Sequence, residues 1–499
     1  MITELLESGS PAKTAAVVAG GGPSIPYDQL RVQVESLAER LTEMGIRRGD
    51  RVAIALPNGI EMLVSFLAAS VAGTAAPLNP AYKLDEFRFY LDDTRARVLI
   101  VPSEGAAEAR AAAGEKVPII ETRLDSTGAV QFGAGSSDLS TNLDVNPGPP
   151  EVALVLHTSG TTSRPKRVPL SHENLMISAR RVADTYGLSA SDVSLCVMPL
   201  FHVHGLVAST LATLSTGGTV VLVPRFSPLS FWSLVRDHRA TWYSAVPTIH
   251  QLLLSRRKGN ARPEGAELLR FVRSCSSALS PQTMTDMETA FGAPVLEAYG
   301  MTEAAHQMAS NPLPPGTRKA GSVGPATGVQ IAILNDSGDL SAPDTRGEVA
   351  IKGSSVFAGY EENPEANSVS FTNGWFRTGD EGFLDAEGYL TLVGRIKELI
   401  NRGGEKIAPR EIDEILTGHP AVAEAVTFGI ADPFYGEEVA AAVVLKGAAS
   451  EAELIRYCGE LLADFKCPKK IYLVDAIPRT ATGKIQRRIV AAEMAKLNN

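Results

Sequence analysis

The sequence predicts a layered α/β fold followed by a smaller α+β unit, and three observations support this prediction. Short apolar runs typical of buried strands alternate with helical segments through the first hundred residues. After residue 397 the order of elements changes to a mixture of helices and longer strands. The chain has 499 residues, which is enough for several packed cores.

The elements of the large body follow one another in a regular order. Apolar residues at helical spacing predict a helix over residues 30–41, and Gly45 supplies its stop. The segments that follow are predicted to be a strand at 52–56, a helix at 61–72, a strand at 75–78, a helix at 87–91 and a strand at 98–101. Residues 103–150 lose this pattern and contain Gly-, Ser- and Pro-rich stretches, so we expect a variable surface region there. The apolar run at 152–156 predicts another buried strand.

The last hundred residues predict a compact unit of a different kind. We expect a helix at 411–416, strands at 422–428 and 439–445, and a helix at 451–462. A unit of this size is in the range of an ordinary domain and can move as a separate lid.

Composition excludes several classes of protein. The 47 basic and 56 acidic residues leave a net charge of −9, which argues against broad nucleic-acid binding. No apolar stretch reaches the roughly 18 residues that a membrane span requires, and no cationic segment precedes an apolar one near Met1. The four cysteines form no C-x-x-C pair, which argues against a zinc ribbon or a disulfide framework. We therefore expect a cytoplasmic protein.

A hydroxyl-rich loop directly follows the strand predicted at 152–156. Residues 157–166 have the sequence His-Thr-Ser-Gly-Thr-Thr-Ser-Arg-Pro-Lys. Backbone N–H groups around the glycine can converge on an oxyanion, and Lys166 adds a cation suited to a polyphosphate. This is not the usual P-loop, because Pro165 stands where that motif has its second glycine and Arg167 follows the lysine. Alone, the loop also fits an exposed turn, so a triphosphate site is predicted only together with the motifs below.

Four separated motifs follow this loop. They are Tyr-Gly-Met-Thr-Glu at 299–303, Thr-Gly-Asp at 378–380, Gly-Arg-Ile-Lys at 394–397 and Pro-Arg-Thr-Ala-Thr-Gly-Lys at 478–484. Together with the loop, their order and spacing resemble those of the AMP-forming acyl-CoA synthetases of the adenylate-forming superfamily. The resemblance covers nearly the whole chain. Any one motif is a weak signal, whereas several in this order are a strong one.

The resemblance implies an architecture and a reaction. It implies a large N-terminal adenylating body of several subdomains at 1–396 and a small mobile α+β domain at 397–499, with a hinge at Lys397. ATP and Mg²⁺ would activate a carboxylic acid, pyrophosphate would leave, and coenzyme A would accept the acyl group. The expected partners are therefore a small acid, ATP and coenzyme A, and the sequence shows no obligate protein partner.

The same resemblance assigns roles to individual residues. The predicted catalytic residues are Lys484, Thr302, Glu303 and His202. The predicted ATP-binding residues are Thr158, Ser159, Gly160, Thr161, Thr162, Lys166, Ser277, Ala278, Glu297, Ala298, Tyr299, Thr302, Asp380, Arg395 and Lys484. The residues expected to line the coenzyme A tunnel are Gly403, Gly404 and Glu405. Two roles also suit the chemistry of the side chain, because Glu303 is a hard oxygen donor for Mg²⁺ and the Asp380 carboxylate can accept two ribose hydroxyls. Taken singly, each residue also fits a turn, a core position or a surface ion pair.

The acid itself is predicted from the residues expected near the acyl group. His202, Ser276 and His306 are the predicted substrate-binding residues, and His202 and His204 alternate at strand spacing. A histidine and several hydroxyls suit a small polar acid, because a buried second carboxylate must be hydrogen-bonded or paired. The whole chain resembles the oxalate-CoA ligases most, which implies oxalate as the substrate. The alternative is a short monocarboxylate, with His306 as an ordinary core or surface histidine.

Arg167 departs from the common superfamily pattern, which has a glycine after the loop lysine. Its larger side chain is expected to shift the loop or weaken ATP binding, which favours reduced rather than abolished turnover. The alternatives are a CoA ligase for a fatty, aryl or malonate-like acid, a module that loads a carrier protein, and a catalytically weak nucleotide-binding regulator.

Overall fold

The computed structural model describes residues 1–125, 128–133, 151–158, 165–257, 259, 261–480 and 483–496. The strands in this part of the chain are β1 Thr14–Val18, β2 Ser24–Pro26, β3 Arg51–Ile54, β4 Thr74–Pro77, β5 Val98–Pro102, β6 Ile119–Leu124, β7 Val130–Phe132, β8 Val152–Thr158, β9 Lys166–Ser171, β10 Val193–Cys196, β11 Thr219–Leu222, β12 Trp242–Ala245, β13 Phe271–Ser274, β14 Val295–Met301, β15 His306–Ser310, β16 Gln330–Leu334, β17 Gly347–Lys352, β18 Phe371–Thr372, β19 Trp375–Leu384, β20 Leu390–Arg395, β21 Ile400–Arg402, β22 Glu405–Ile407, β23 Val422–Asp432, β24 Gly436–Leu445 and β25 Lys470–Leu473. The helices are α1 Tyr27–Glu43, α2 Ile60–Ala72, α3 Leu84–Asp93, α4 Ala107–Ala113, α5 His172–Thr185, α6 Ala212–Leu214, α7 Phe231–Asp237, α8 Pro247–Ser255, α9 Pro281–Phe291, α10 Pro364–Ser370, α11 Pro409–Gly418, α12 Glu451–Leu461 and α13 Arg487–Lys496, and a π-helix at His204–Leu211 precedes α6.

Two large sheets form the centre of the N-terminal body. The first has the order β7-β6-β5-β3-β4-β8-β9, with parallel strands inside and antiparallel strands at both edges. The second has the order β15-β14-β13-β12-β10-β11-β1-β2 and is built in the same way. Parallel strands lie at the centre of such sheets because helices cover both faces.

Helix α2 shows how the two-sheet core is filled. Eleven of its thirteen residues are buried, including Ser65 and Ser70. Ser70 donates its hydroxyl hydrogen to the Phe66 carbonyl oxygen at 2.9 Å, so a buried polar group on this helix is satisfied within the helix. A helix that is apolar on every side is expected where no face meets water. None of the helices in the described ranges is long and apolar enough to span a membrane.

Two smaller sheets complete the fold. One has the order β16-β17-β19-β18, with β20 paired to β19. The other belongs to the C-terminal unit and has the order β22-β21-β24-β23, with β25 paired to β24. The C-terminal sheet packs its own apolar clusters against α11, α12 and α13, including Ile412, Leu454 and Val490. The predicted fold class, a large α/β body with a separate small α+β domain, is confirmed.

Most of the predicted elements are confirmed, and two expectations are wrong. Residues 103–150 are not simply a surface region, because β6 extends the first sheet beside β5 and β7 pairs with β6. Residues 126–127 and 134–150 lie outside the described part. His202 and His204 do not lie on a strand, because the chain turns after β10 and His204 begins the π-helix. The position of the predicted domain boundary at Lys397 stays a prediction.

The parallel strands determine where a site can form. The carboxyl ends of β10, β12, β13 and β14 meet at one edge of the second sheet, as parallel strands of one sheet must. The loops that leave these ends carry His202, Thr248, Ser276 and Thr302. Residues distant in the sequence therefore gather at one edge.

Candidate active site

A large cavity lies at this edge and is closed on its far side by the C-terminal unit. Its volume is about 2220 Å³. The predicted residues that line it within the described part are Thr158, Lys166, His202, Ser276, Ser277, Ala278, Glu297, Ala298, Tyr299, Thr302, Glu303, His306, Asp380, Arg395, Lys397 and Lys484. Ser159, Gly160, Thr161 and Thr162 lie outside the described residues. The structure thus brings most of the predicted set to one cavity, while the role of each residue stays a prediction.

Strand pairing positions the acid expected to bind ribose. Asp380 lies in β19 directly opposite Arg395 of β20, and the Arg395 Nε atom is 2.8 Å from Asp380 Oδ1. The Tyr299 hydroxyl donates to the other carboxylate oxygen. Burial raises the pKa of Asp380, and the charge of Arg395 opposes that rise. A carboxylate offers about four lone-pair positions, so two remain for a diol after these two contacts.

A buried glutamate lies beside the loop lysine. Glu303 is 5% exposed, and its Oε1 accepts a hydrogen bond from the Tyr360 hydroxyl at 2.8 Å. Lys166 Nζ lies 4.3 Å from the centre of the Tyr360 ring. Burial raises the pKa of Glu303, so a nearby cation is needed to favour its charged form.

These residues fit a magnesium ion that is held jointly with phosphates. The described residues contain no cluster of three or more His, Cys, Asp or Glu side chains that would enclose a metal. Mg²⁺ is commonly bound through one or two carboxylates plus phosphate oxygens, and Glu303 supplies such a carboxylate. When bound, the ion would reduce the charge repulsion at the phosphates.

The two strands on either side of the predicted phosphate loop, β8 and β9, pair with each other up to the point where the loop begins. Thr158 at the end of β8 pairs with Lys166 at the start of β9. The Arg167 side chain, by contrast, is 13% exposed and is not among the residues that line the cavity. Successive residues of a strand point to opposite faces, which explains why Lys166 lines the cavity and Arg167 does not. Arg167 therefore lies on the face of β9 away from the cavity, and the expected shift of the loop or weaker ATP binding stays a prediction.

Arg167 instead joins a cluster of acidic side chains. Its guanidinium lies 3.2 Å from Asp93 Oδ2, 3.3 Å from Glu361 Oε2 and 2.6 Å from Glu362 Oε2. Burial acts to raise the pKa of Asp93, but the hydrogen bond from His157 and the charge of Arg167 hold that pKa below its usual value. The cluster ties β9 to α3 and to the segment after Gly359.

We expect Arg167→Met to lower the free energy of unfolding by about 1–3 kcal/mol, because Asp93, Glu361 and Glu362 lose the cation that they share. Arg51 still pairs with Glu361 and Arg95 with Glu362, which limits the loss. The loss should shrink as the pH falls through the depressed pKa of Asp93, since protonated carboxyl groups no longer need the pairing. Urea unfolding at pH 7 and at a series of pH values below 3.8, the ordinary pKa of an aspartate, measures it. Arg88→Met is the matched control, because Arg88 is an exposed arginine on α3 whose ion pair within the described residues is with Asp85 alone. Equal stability of the two variants at pH 7 would contradict the structural role.

The C-terminal unit delivers Lys484 to the cavity. Lys484 follows a tight turn in which Gly483 N donates to the Thr480 carbonyl oxygen at 2.9 Å and Thr480 N donates to the Lys484 carbonyl oxygen at 2.8 Å. An added Cβ on Gly483 would lie 3.2 Å from Val246 and 3.3 Å from Thr248, so the turn packs closely on the loop after β12. Burial lowers the pKa of Lys484, although Glu303 and Asp380 act to raise it.

The nucleotide end also contains a buried acid. Glu297 is 1% exposed, its Oε1 accepts from Leu279 N at 2.9 Å, and its Oε2 has no partner in the described part of the chain. Burial raises the pKa of Glu297 to about 7. Within the described part of the chain, Glu297 therefore brings a buried oxygen without a partner to the wall of the cavity.

The part of the cavity at the predicted substrate-binding residues His202, Ser276 and His306, called here the acyl end, has polar groups on strained backbone. Ser276 and His306 have positive φ angles of 73° and 129°, and Ala305 has one of 52°. Such conformations are costly for residues other than glycine and are concentrated at functional sites. The close pairing at this point explains Gly300, whose added Cβ would lie 2.1 Å from the His306 carbonyl oxygen.

The ring nitrogens at the acyl end have defined roles. His204 N donates to His202 Nδ1 at 3.2 Å, so the proton of neutral His202 is on Nε2. Burial lowers the pKa of His202 to about 3. Burial also lowers the pKa of His204 and of His306 well below the usual value, and the charge of Arg273 adds to both shifts. All three rings are neutral.

Three residues of this site were given no role by sequence reasoning. Arg273 and His204 are fully buried behind Ser276 and His306, and Tyr360 contacts Glu303 across 57 positions of the chain. An arginine inside the apolar strand 271–274 was the one available signal, because arginine is rarely buried without a purpose.

The predicted coenzyme A residues lie elsewhere. Gly403 and Gly404, with φ angles of 58° and 96°, form the turn between β21 and β22, and Glu405 is exposed. None of the three is among the residues that line the cavity. Lys397 does line it, in the short 3-10 turn between β20 and β21.

Comparison with known proteins agrees with this geometry. Residues 7–361 match the family described as AMP-binding enzyme, and residues 411–484 match the AMP-binding enzyme C-terminal domain. An oxalate–CoA ligase of Arabidopsis thaliana is 47% identical over 487 residues, covering 95% of each chain. The ATP-bound structure of MatB from Rhodopseudomonas palustris superposes with a TM-score of 0.88 at 30% identity over 100% of both chains. The O-succinylbenzoate coenzyme A synthetase MenE of Bacillus subtilis, solved with ATP and magnesium, gives a TM-score of 0.83 at 31% identity over 98% of this chain and 99% of that one.

The fold and the site define an adenylate-forming enzyme, and the chain belongs to the AMP-binding enzyme family. Within that family it is an AMP-forming acid–CoA ligase, which uses ATP, Mg²⁺ and coenzyme A.

Proposed function

We propose that this ligase activates oxalate and transfers the oxalyl group to coenzyme A. The observation that carries the proposal is the acyl end of the cavity, which is bordered by His202, Ser276 and His306 rather than by an apolar channel. Oxalate has a second carboxylate directly next to the reacting one, and burying it requires hydrogen-bond donors. The Arabidopsis relative named as an oxalate–CoA ligase supports the same choice.

The first step forms an acyl-adenylate. One carboxylate oxygen of the acid attacks the α-phosphorus of ATP, and the bond to the β-phosphate bridging oxygen breaks, so that pyrophosphate leaves. Lys484 is placed to reduce the repulsion between the carboxylate and the phosphate and to stabilise the charge that develops in the transition state. Thr302 and Lys166 would hold the phosphates, and Asp380 and Arg395 the ribose.

The second step forms the thioester. The thiol of coenzyme A loses its proton to water as its sulfur attacks the acyl carbon, and AMP leaves with the electron pair of the broken carbon–oxygen bond. In the present arrangement the C-terminal unit places Lys484 in the cavity and leaves Gly403 and Gly404 outside it. We infer that a rotation near Lys397 moves Lys484 out of the cavity and brings Gly403 and Gly404 to it. Glycines suit this position because, without a Cβ, they let the thiol arm approach the backbone closely.

Pyrophosphate release over a panel of acids tests the proposal. We expect oxalate to give the highest kcat/KM, at least roughly tenfold above malonate, acetate and benzoate, because only a matched diacid satisfies all the donors. Thioester formation should require coenzyme A, and mass spectrometry of the product measures it.

Other outcomes of this assay would indicate one of the alternative functions. Preference for a fatty, aryl or malonate-like acid would replace oxalate with that substrate. Adenylate that accumulates and is not passed to coenzyme A would indicate a carrier-loading module. ATP binding without pyrophosphate release for any acid would indicate a nucleotide-binding regulator.

A further inference from the structure

A single buried arginine lies behind the acyl end of the cavity. Arg273 is 0% exposed on β13. Its Nε donates to the Tyr186 hydroxyl at 2.8 Å, and its NH2 group donates to Gln307 Oε1 at 3.0 Å. Within the described ranges its hydrogen-bond partners are Tyr186, Gln307, Ser244 and His306. All four are neutral, because burial raises the pKa of Tyr186 and lowers that of His306, and the other two carry no charge. A buried positive charge with neutral partners is costly unless an anion approaches it.

One branch of contacts leads from this guanidinium to His306. The NH2 group lies 3.4 Å from His306 Nδ1, at the long end of hydrogen-bond distances. A guanidinium has no acceptor, so Nδ1 must accept and the ring proton must be on Nε2. Because the ring borders the cavity, Nε2–H is the group left to donate to a ligand.

A second branch leads to Ser276 through two intermediates. Arg273 NH1 donates to Ser244 Oγ at 3.0 Å, and Ser244 Oγ lies 2.6 Å from His204 Nε2. Among the described residues this hydroxyl contacts Arg273, which can only donate, and His204, so the Ser244 proton goes to His204 Nε2. The proton of neutral His204 is then on Nδ1 and is donated to Ser276 Oγ at 3.0 Å. The Ser276 hydroxyl hydrogen is therefore free for the cavity.

We propose that Arg273 is the positioning residue that sets Ser276 and His306 as donors and places a positive charge behind them, so that the site selects acids with a second anionic group. This inference rests on the proposed function for the identity of the diacid. The two branches and the strained backbone at Ser276 and His306 hold the donors in place before the acid arrives.

The test compares three variants on oxalate and on acetate. In Arg273→Met, we expect the KM for oxalate to rise roughly tenfold to a hundredfold, with the KM for acetate changed less than about threefold and the KM for ATP unchanged. Ser244→Ala cuts only the branch to Ser276 and should show a smaller rise for oxalate. Tyr186→Phe is the matched control, since it removes a partner of Arg273 that leads to neither donor, and its ratio of KM values should match wild type.

A spectroscopic readout separates this inference from a merely structural role. In wild type, long-range ¹H–¹⁵N spectra of histidine-labelled protein should show His306 protonated on Nε2 and His204 on Nδ1, assigned through His306→Gln and His204→Gln. Ser244→Ala should disturb the His204 signals and leave those of His306 in place. This measurement covers the case in which Arg273→Met does not fold.

The outcomes distinguish the two proposals. If wild type prefers oxalate but Arg273→Met and Ser244→Ala keep the wild-type ratio of KM values, the inference about Arg273 is overturned and the oxalate function stands. If wild type prefers a monocarboxylate, the oxalate function and the diacid selection both fail. The opposite tautomer on either ring would refute the donor assignment whatever the substrate.

Discussion

Lys484→Met is expected to slow adenylation by roughly a hundredfold to a thousandfold, because it removes the cation proposed to stabilise the charge that develops at the α-phosphate. The rate of thioester formation from a chemically prepared acyl-adenylate should change less than about threefold, because Lys484 is expected to leave the cavity before that step. Pyrophosphate exchange measures the first half-reaction, and thioester formation under single turnover measures the second. Equal losses in both would contradict the assignment.

The pH dependence of adenylation gives an independent check on Lys484. The protonated amine is the active form, and burial lowers its pKa below 10.5. Activity attributable to Lys484 is therefore full below that lowered pKa and is lost as the pH rises through it. This alkaline loss should be absent in Lys484→Met. Lys496→Met is the control, because Lys496 is an exposed lysine in the same C-terminal unit and should keep the wild-type rate and pH profile.

The sequence predicts those site residues that lie in short motifs on strands or directly after them. Thr302 and Glu303 follow β14, and Asp380 and Arg395 meet because β19 and β20 pair in one register. Their local patterns, and the resemblance that these patterns support, were sufficient to place them in one predicted site, and their roles stay predictions. The strand and helix periods likewise predicted the first sheet as far as β5, because each of those elements buries a continuous apolar face.

The features of the fold and the site that the sequence did not predict depend on contacts between distant segments. The pairing of β6 with β5 was missed for two reasons. Residues 103–150 are rich in loop formers, and β6 is itself short and only partly apolar. Arg273 belongs to no motif, and its role appears only when Ser244, His204 and His306 come together behind the cavity. The histidine pair 202 and 204 was assigned to a strand because spacing alone cannot distinguish a strand from a turn that enters a helix.

Asp380→Asn is expected to raise the KM for ATP by roughly tenfold to a hundredfold, because a charged acceptor of the ribose hydroxyls is lost. The KM for the acid should stay within about threefold of wild type. The variant keeps the shape of the side chain, so packing against Tyr299 is preserved. Steady-state kinetics with ATP as the varied substrate measures the change.

Nucleotide analogues show whether Asp380 acts on the ribose itself. Wild type should discriminate against 2′,3′-dideoxy-ATP relative to ATP, and Asp380→Asn should lose most of that discrimination, because the hydroxyls then have no carboxylate to meet. Tyr299→Phe removes the phenol that donates to the same carboxylate and leaves both of its oxygens in place, so it should keep the discrimination. If Asp380→Asn discriminates as strongly as wild type, Asp380 orients Arg395 and Tyr299 and does not hold the ribose.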